Sequence, residues 1–230
     1  MKPSKIMFIV AHPDDEVLGC GGTIKKYISA GLDVKVIILG EGSSCRFNSY
    51  KSKINLIKKS ILQRNKLAKK SFEVLGVSKY KFGKLPCGRF DQTPIIEIIK
   101  KIEKEILLFK PDTIFTHNFN DTNIDHRIVF DAVNIATRTY PDQIVKNLLT
   151  FEILSSSEWR FIANFKPNYF IDINKFIKFK NKAFQAYYIT EGKHFPFPRN
   201  SEAINTLSKY RGMQSGVKNA EAFQIIRIVE

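Results

Sequence analysis

The chain has 230 residues, 43% hydrophobic and 26% charged, proportions ordinary for a soluble globular fold with room for one full core. No apolar run approaches the ~18 residues of a membrane span, and residues 1–6 open no signal-peptide pattern, since His12 and Asp14 interrupt the apolar stretch at once. The three cysteines, Cys20, Cys45 and Cys87, lack CxxC spacing, so neither a disulfide framework nor a thiolate zinc site is expected and a cytoplasmic, reducing compartment is.

Lys and Arg outnumber Asp and Glu by 37 to 22, a formal net charge of +15. That excess could serve nucleic acid, a membrane surface or an anionic small substrate, but the plainer reading is compositional, since the chain is rich in Lys, Ile, Asn and Phe throughout. Its lysines are scattered in pairs (Lys25 and Lys26, Lys58 and Lys59, Lys69 and Lys70, Lys100 and Lys101) rather than gathered on a stripe with interleaved aromatics. A nucleic-acid partner is therefore not expected.

The first half alternates two periods. Residues 6–11 form an apolar run typical of a buried parallel strand, followed by helical spacing over 17–30 that ends at Gly31. "DVKVIIL" (33–39) reads as the second strand, 53–75 as a long helix closed by Gly76, and 80–85 as the third strand. Pro94 fits the first position of a helix over 94–109, with Ile95, Ile98, Ile99, Ile102, Ile106 and Leu107 as its apolar face. "DTIFTH" (112–117) is the fourth strand and 125–139 the next helix. Beyond 140, strands are expected at 148–154, 169–173 and 222–229, helices at 174–190 and 199–211, and an ordered loop at 194–200. This rhythm predicts an α/β fold, a mainly parallel sheet with helices on both faces, in one domain over 1–230.

Ligands of such sheets sit beyond the carboxyl ends of the strands. His12 follows the first expected strand, His117 ends the fourth, and His126 starts the helix after it. Asp14, Asp15 and Glu16 suit a helix N-terminus on macrodipole grounds alone, but that does not account for His12. A histidine and a carboxylate three residues apart on a tight turn can reach one cation, and N and O donors together suit zinc or a similar divalent metal. With His12 and Asp15 in place, one more donor would complete a set that leaves a position open for water; His126 is the best candidate, and Asp125 beside it can orient an imidazole. Gly19, Gly21 and Gly22 do not make a dinucleotide motif, because Ile24 stands where the third glycine belongs. They are expected to let the helix pack closely against the loop bearing the metal.

"AHPDDE" (11–16) and "NIDHR" (123–127) resemble the two signature motifs of the PIG-L, or LmbE-like, family of zinc-dependent N-deacetylases. "LPCGRFD" (85–91) and "AEAFQIIR" (220–227) extend the likeness over essentially the whole chain. The resemblance implies a Rossmann-like three-layer sandwich and hydrolysis of the acetamide of an N-acetylglucosamine-type sugar; the basic charge balance favours one that is nucleotide-linked or otherwise anionic. It also implies His12, Asp15 and His126 as ligands of Zn2+ or another divalent transition metal, with Asp14 as general base.

Two positions depart from the family pattern. Asn123 stands where many members have histidine, which leaves Asp14 or His117 to protonate the leaving amine. Cys87 stands where members often have an acid; no histidine or lysine cluster neighbours it in sequence, and a reactive thiol is not expected. Arg46 and Arg89, on loops at the active edge, and His117 are the candidate substrate contacts, although solvated surface arginines fit the same positions. Hydrolysis of another N-acyl group, or a non-catalytic metal- or carbohydrate-binding module, are the alternatives; retention of Asp14 argues against the module. The expected partner is a small amino sugar, and self-association is compatible with this fold class.

Overall fold

The computed structural model describes residues 4–48, 53–138 and 145–230. In chain order it contains β1 (Lys5–Val10), α1 (Asp15–Ser29), β2 (Asp33–Gly40), α2 (Ile54–Leu75), β3 (Lys79–Leu85), α3 (Ile95–Phe109), β4 (Thr113–His117) and α4 (Ile124–Ala136). It continues with β5 (Asn147–Phe151), β6 (Tyr169–Asp172), α5 (Ile177–Glu191), α6 (Ser201–Ser215) and β7 (Ala220–Arg227). Among the described residues the strands form one seven-stranded sheet in the order β3-β2-β1-β4-β5-β7-β6. The first five run parallel, and β7 is antiparallel to both β5 and β6.

Strand alternation builds the three layers. Along β1, Ile6, Phe8 and Val10 pack with Val17 and Leu18 of α1, Phe72 of α2 and Phe184 of α5. Met7 and Ile9, on the opposite face, join Ile98 and Ile102 of α3 and Val129 and Val133 of α4. Because both faces are covered, every residue from Ile6 to Val10 is fully buried. This is the expected mainly parallel α/β sandwich.

Several local expectations shift. Pro94 is the cap of α3 rather than its first helical residue. Ile95 and Leu107 are 40% and 70% exposed, because a 3.6-residue period turns them off the stripe formed by Ile98, Ile99, Ile102 and Ile106. The strand expected over 148–154 ends at Phe151, and Ile153 and Leu154 are buried in the loop that follows. The last two helices run Ile177–Glu191 and Ser201–Ser215, so the second continues four residues past the expected end to Gly216, in the left-handed region at φ +73°. The helix expected over 125–139 ends at Ala136; residue 139, like residues 1–3, lies outside the described residues.

The glycines of α1 serve a different neighbour from the one expected. A Cβ on Gly19 would lie 2.5 Å from the Phe151 ring, and one on Gly22 would lie 2.8 Å from Ile173. They let α1 settle on β5 and on the residue after β6, not on the loop around His12.

Candidate metal centre and active site

Strand order turns outward in both directions between β1 and β4, so the loops after these two strands open a crevice at the carboxyl edge. The first loop carries His12 to Asp14, and the second leads to Asn123, which caps α4 by accepting the Asp125 N–H at 2.9 Å. His12, Asp15 and His126, all buried, offer donor atoms within 4.8 Å of one another. Asp15 Oδ2 is the hub, 3.5 Å from His12 Nδ1 and 3.4 Å from His126 Nε2, while also accepting the His12 N–H at 2.8 Å.

Each of these imidazoles turns its other nitrogen to a carboxylate. His12 Nε2 lies 2.9 Å from Asp125 Oδ2. Asp125 is held in turn by the N–H groups of Gly88 at 2.6 Å and Phe90 at 3.1 Å. His126 Nδ1 lies 3.2 Å from Asp121 Oδ1, and Asp121 accepts the hydroxyls of Ser156 and Ser157. Outer carboxylates of this kind fix tautomer and ring orientation at metal sites. Two imidazoles and a carboxylate, so braced, fit a divalent transition metal of the zinc class.

The charges follow from this crowding. Burial disfavours the His126 cation, but Asp15 and Asp121 outweigh it and raise the group to about 10. Asp121, for which burial is outweighed by His126 and the Ser156 hydroxyl, falls to about 2. Burial, reinforced by His126, pushes His117 down to about 4, so it is neutral at physiological pH.

Asp14 is the acid of this loop that lies outside the three-donor group. Its backbone stands at φ 108°, a left-handed conformation costly for a non-glycine residue, and its side chain makes no capping bond to α1. Capping therefore does not account for Asp14, whereas Asp15 and Glu16 do accept backbone N–H groups at this helix start. Glu16 accepts the Asp14 N–H at 3.0 Å and the Tyr187 hydroxyl at 2.6 Å; burial raises it to about 8. Arg199 Nη2 donates to Asp14 Oδ2 at 2.5 Å, and Arg64 Nη2 is 3.4 Å from Oδ1. Arg64 also donates to the carbonyls of Pro13 and Gly42. Burial nevertheless outweighs both arginines and lifts Asp14 to about 6.

His12, Asp14, Asp15, Asn123, His126 and Arg46 line one cavity of about 330 Å³. Arg46 is 39% exposed and donates to Glu191 at 2.6 Å. Two expected substrate contacts are placed elsewhere. His117 is fully buried and stacked on His126 at 3.9 Å between ring centroids; its Nε2 accepts the Ala11 N–H at 2.8 Å. Arg89 is half-buried and is not among the cavity-lining residues, since its segment turns Cys87 to the cavity and Phe90 into the core. Cys87 also has the close neighbour that its sequence context lacks: Cys45 Sγ, 3.0 Å away.

Four residues that contact the candidate site escape the sequence reading: Asp121, Arg64, Glu191 and Arg199. Arg64 did leave a trace, since it lies seven residues after Ile57 and four before Ala68, on the buried stripe of α2, and is 3% exposed. A cation on an apolar stripe needs anionic partners. The other three lie in loops or at a helix end, where periodicity carries no information.

Fold and site together are those of an LmbE-like α/β deacetylase. The chain belongs to the PIG-L family, whose model, described as GlcNAc-PI de-N-acetylase, matches residues 7–137. Diacetylchitobiose deacetylase of Thermococcus kodakarensis is 30% identical over 96% of this chain and 83% of its own length. A 1D-myo-inositol 2-acetamido-2-deoxy-alpha-D-glucopyranoside deacetylase of Mycobacterium avium is 54% identical over 39 residues, 16% of this chain and 13% of its own. Among solved structures, N,N'-diacetylchitobiose deacetylase of Pyrococcus horikoshii superposes with a TM-score of 0.77 at 21% identity, over 98% of this chain and 85% of that one. The fold alone does not choose the reaction. A 4-carboxy-2-hydroxymuconate hydratase of Pseudomonas putida superposes at a TM-score of 0.76 and 20% identity, over 98% of each chain.

Proposed function

We propose that this protein is a zinc-dependent N-deacetylase acting through one catalytic domain over residues 1–230. Its substrate is an N-acetylglucosamine-type sugar, and its products are acetate and a free amine. The observation that carries this reading is Asp14: a buried carboxylate outside the three-donor group, aimed into the same cavity and poised at about 6. A binding module needs donors but no such group. Family membership and the N-acetyl sugar deacetylases among the relatives support the same reaction over hydration.

In this proposal His12, Asp15 and His126 hold the ion, which when bound supplies Lewis acidity toward the amide carbonyl and acidifies a water. Asp14 accepts the proton of the attacking water at its carboxylate, held in place by Arg199 and Arg64, and returns it to the leaving amine. His117 is neutral, and its Nε2 is committed to Ala11, so Asp14 performs both transfers. Asn123 has its amide oxygen engaged in the α4 cap and its NH₂ as the remaining donor for the developing oxyanion. Arg46, next to Glu191 at the cavity wall, offers a cation to an anionic group on the far side of the sugar. No helix among the described residues is long and apolar enough to cross a membrane. The free cysteines fit the proposed cytoplasmic location.

The test is an amine-release screen over N-acetyl sugars, free, inositol-linked and nucleotide-linked, with and without a chelator. Equal yields of acetate and amine, lost on chelation and restored by zinc, are expected. Turnover that persists in the metal-stripped protein would overturn the mechanism. Release of another acyl group in preference to acetate would favour the second reading, a different N-acyl hydrolase.

A further inference from the structure

We propose that Cys45 and Cys87 are a modification site: an oxidisable thiol pair that closes to a disulfide in the wall of the catalytic cavity. The two residues are 42 apart in sequence, yet their Sγ atoms lie 3.0 Å apart and both are free thiols. Both line the cavity; Cys45 is exposed and Cys87 is 7% exposed. The sulfurs must approach by only about 1 Å to reach the S–S bond length.

The segments that bear them are already fastened together. Buried Glu41 accepts the N–H groups of Ser43 at 2.6 Å and Ser44 at 3.0 Å on one side, and of Cys87 at 2.9 Å on the other. Gly88 makes the close approach possible. It sits at φ +71°, and a Cβ there would come 3.0 Å from the Cβ of Cys45. The pair is thus held across a carboxylate clamp, with the two sulfurs already facing each other. The bond would tie the turn carrying Arg46 to the turn whose Gly88 N–H holds Asp125 behind His12.

The oxidant is a low-molecular-weight disulfide. Exposed Cys45, as thiolate, attacks one of its sulfurs; a Cys45–S–S–R bond forms and the first RS⁻ leaves, taking up a proton. Cys87 loses its proton and attacks the Cys45 sulfur, the S–R bond breaks, and the second RSH departs. Two electrons and two protons pass from the two cysteines to the disulfide, leaving Cys45–Cys87 and two RSH.

The test treats the folded, full-length protein with glutathione disulfide and reads intact mass, thiol count and linked peptides, none of which depends on deacetylase activity. The wild type is expected to lose two of its three thiols and the mass of two hydrogens, to yield a Cys45–Cys87 peptide, and to recover fully with dithiothreitol. Cys87→Ser should stop at a stable glutathione adduct on Cys45, and Cys45→Ser should form no intrachain bond. Circular dichroism confirms that both variants are folded. A wild type that retains glutathione on Cys45, links chain to chain, or keeps all its thiols would overturn the proposal.

Discussion

Asp125 stands directly behind His12: its Oδ2 lies 2.9 Å from the imidazole Nε2, and both side chains are buried. The contact leaves Nδ1 as the nitrogen that faces Asp15. Asp125→Asn keeps the shape but weakens the acceptor that sets this tautomer. Zinc affinity, measured by competition with a chromophoric chelator, should fall about 10- to 100-fold. Unchanged affinity would mean that His12 is oriented by something else.

Asp14→Asn should retain the metal while losing turnover by roughly 10²–10⁴-fold, the usual contribution of a positioned base. Metal content and kcat must be read on the same preparation. A variant that keeps most of its rate would remove Asp14 from proton transfer. His126→Ala is the complementary case and should lose the ion along with the rate.

Gly19→Ala probes packing rather than chemistry. The new methyl would meet Phe151 at 2.5 Å, and the closely packed ring cannot yield cheaply. Stability should drop by about 1–3 kcal/mol, seen as a lower urea midpoint at unchanged slope. Phe151→Leu in the same chain should return part of it.

Glu105 carries a pH signature away from the site. Burial raises its pKa, but hydrogen bonds from Lys35 and Lys81 outweigh burial and hold the carboxyl below its ordinary 4.5. A depressed acid stabilises the fold above its unfolded pKa, and that contribution fades as pH falls through the folded value. Glu105→Gln should therefore be less stable than wild type at neutral pH, and the two denaturation midpoints should converge in acid. A gap that stays constant down the acid range would assign the effect to packing.

The strands and helices were legible because their apolar periods are long and regular; β1, β2, α2 and α3 follow their runs within a residue or two. Gly31 and Gly76 likewise mark helix ends through the left-handed φ they adopt. The His12, Asp15 and His126 group was readable for a simple reason. Each residue sits within a few positions of a strand end or helix start, and a parallel sheet delivers such ends to one edge. Asp121, Glu191 and Arg199 were invisible, since loop paths and helix-end orientations follow no period.

Sequence alone determined the layered α/β architecture, the edge at which the candidate site gathers, and the residue types found there, because local periodicity and strand direction are written in neighbouring residues. Only the tertiary structure decided that His117 lies buried behind His126, that Arg64 and Arg199 grip Asp14, and that Cys45 meets Cys87. These contacts join side chains from nine to 185 residues apart, and packing of separate elements, not any local preference, sets which of them touch.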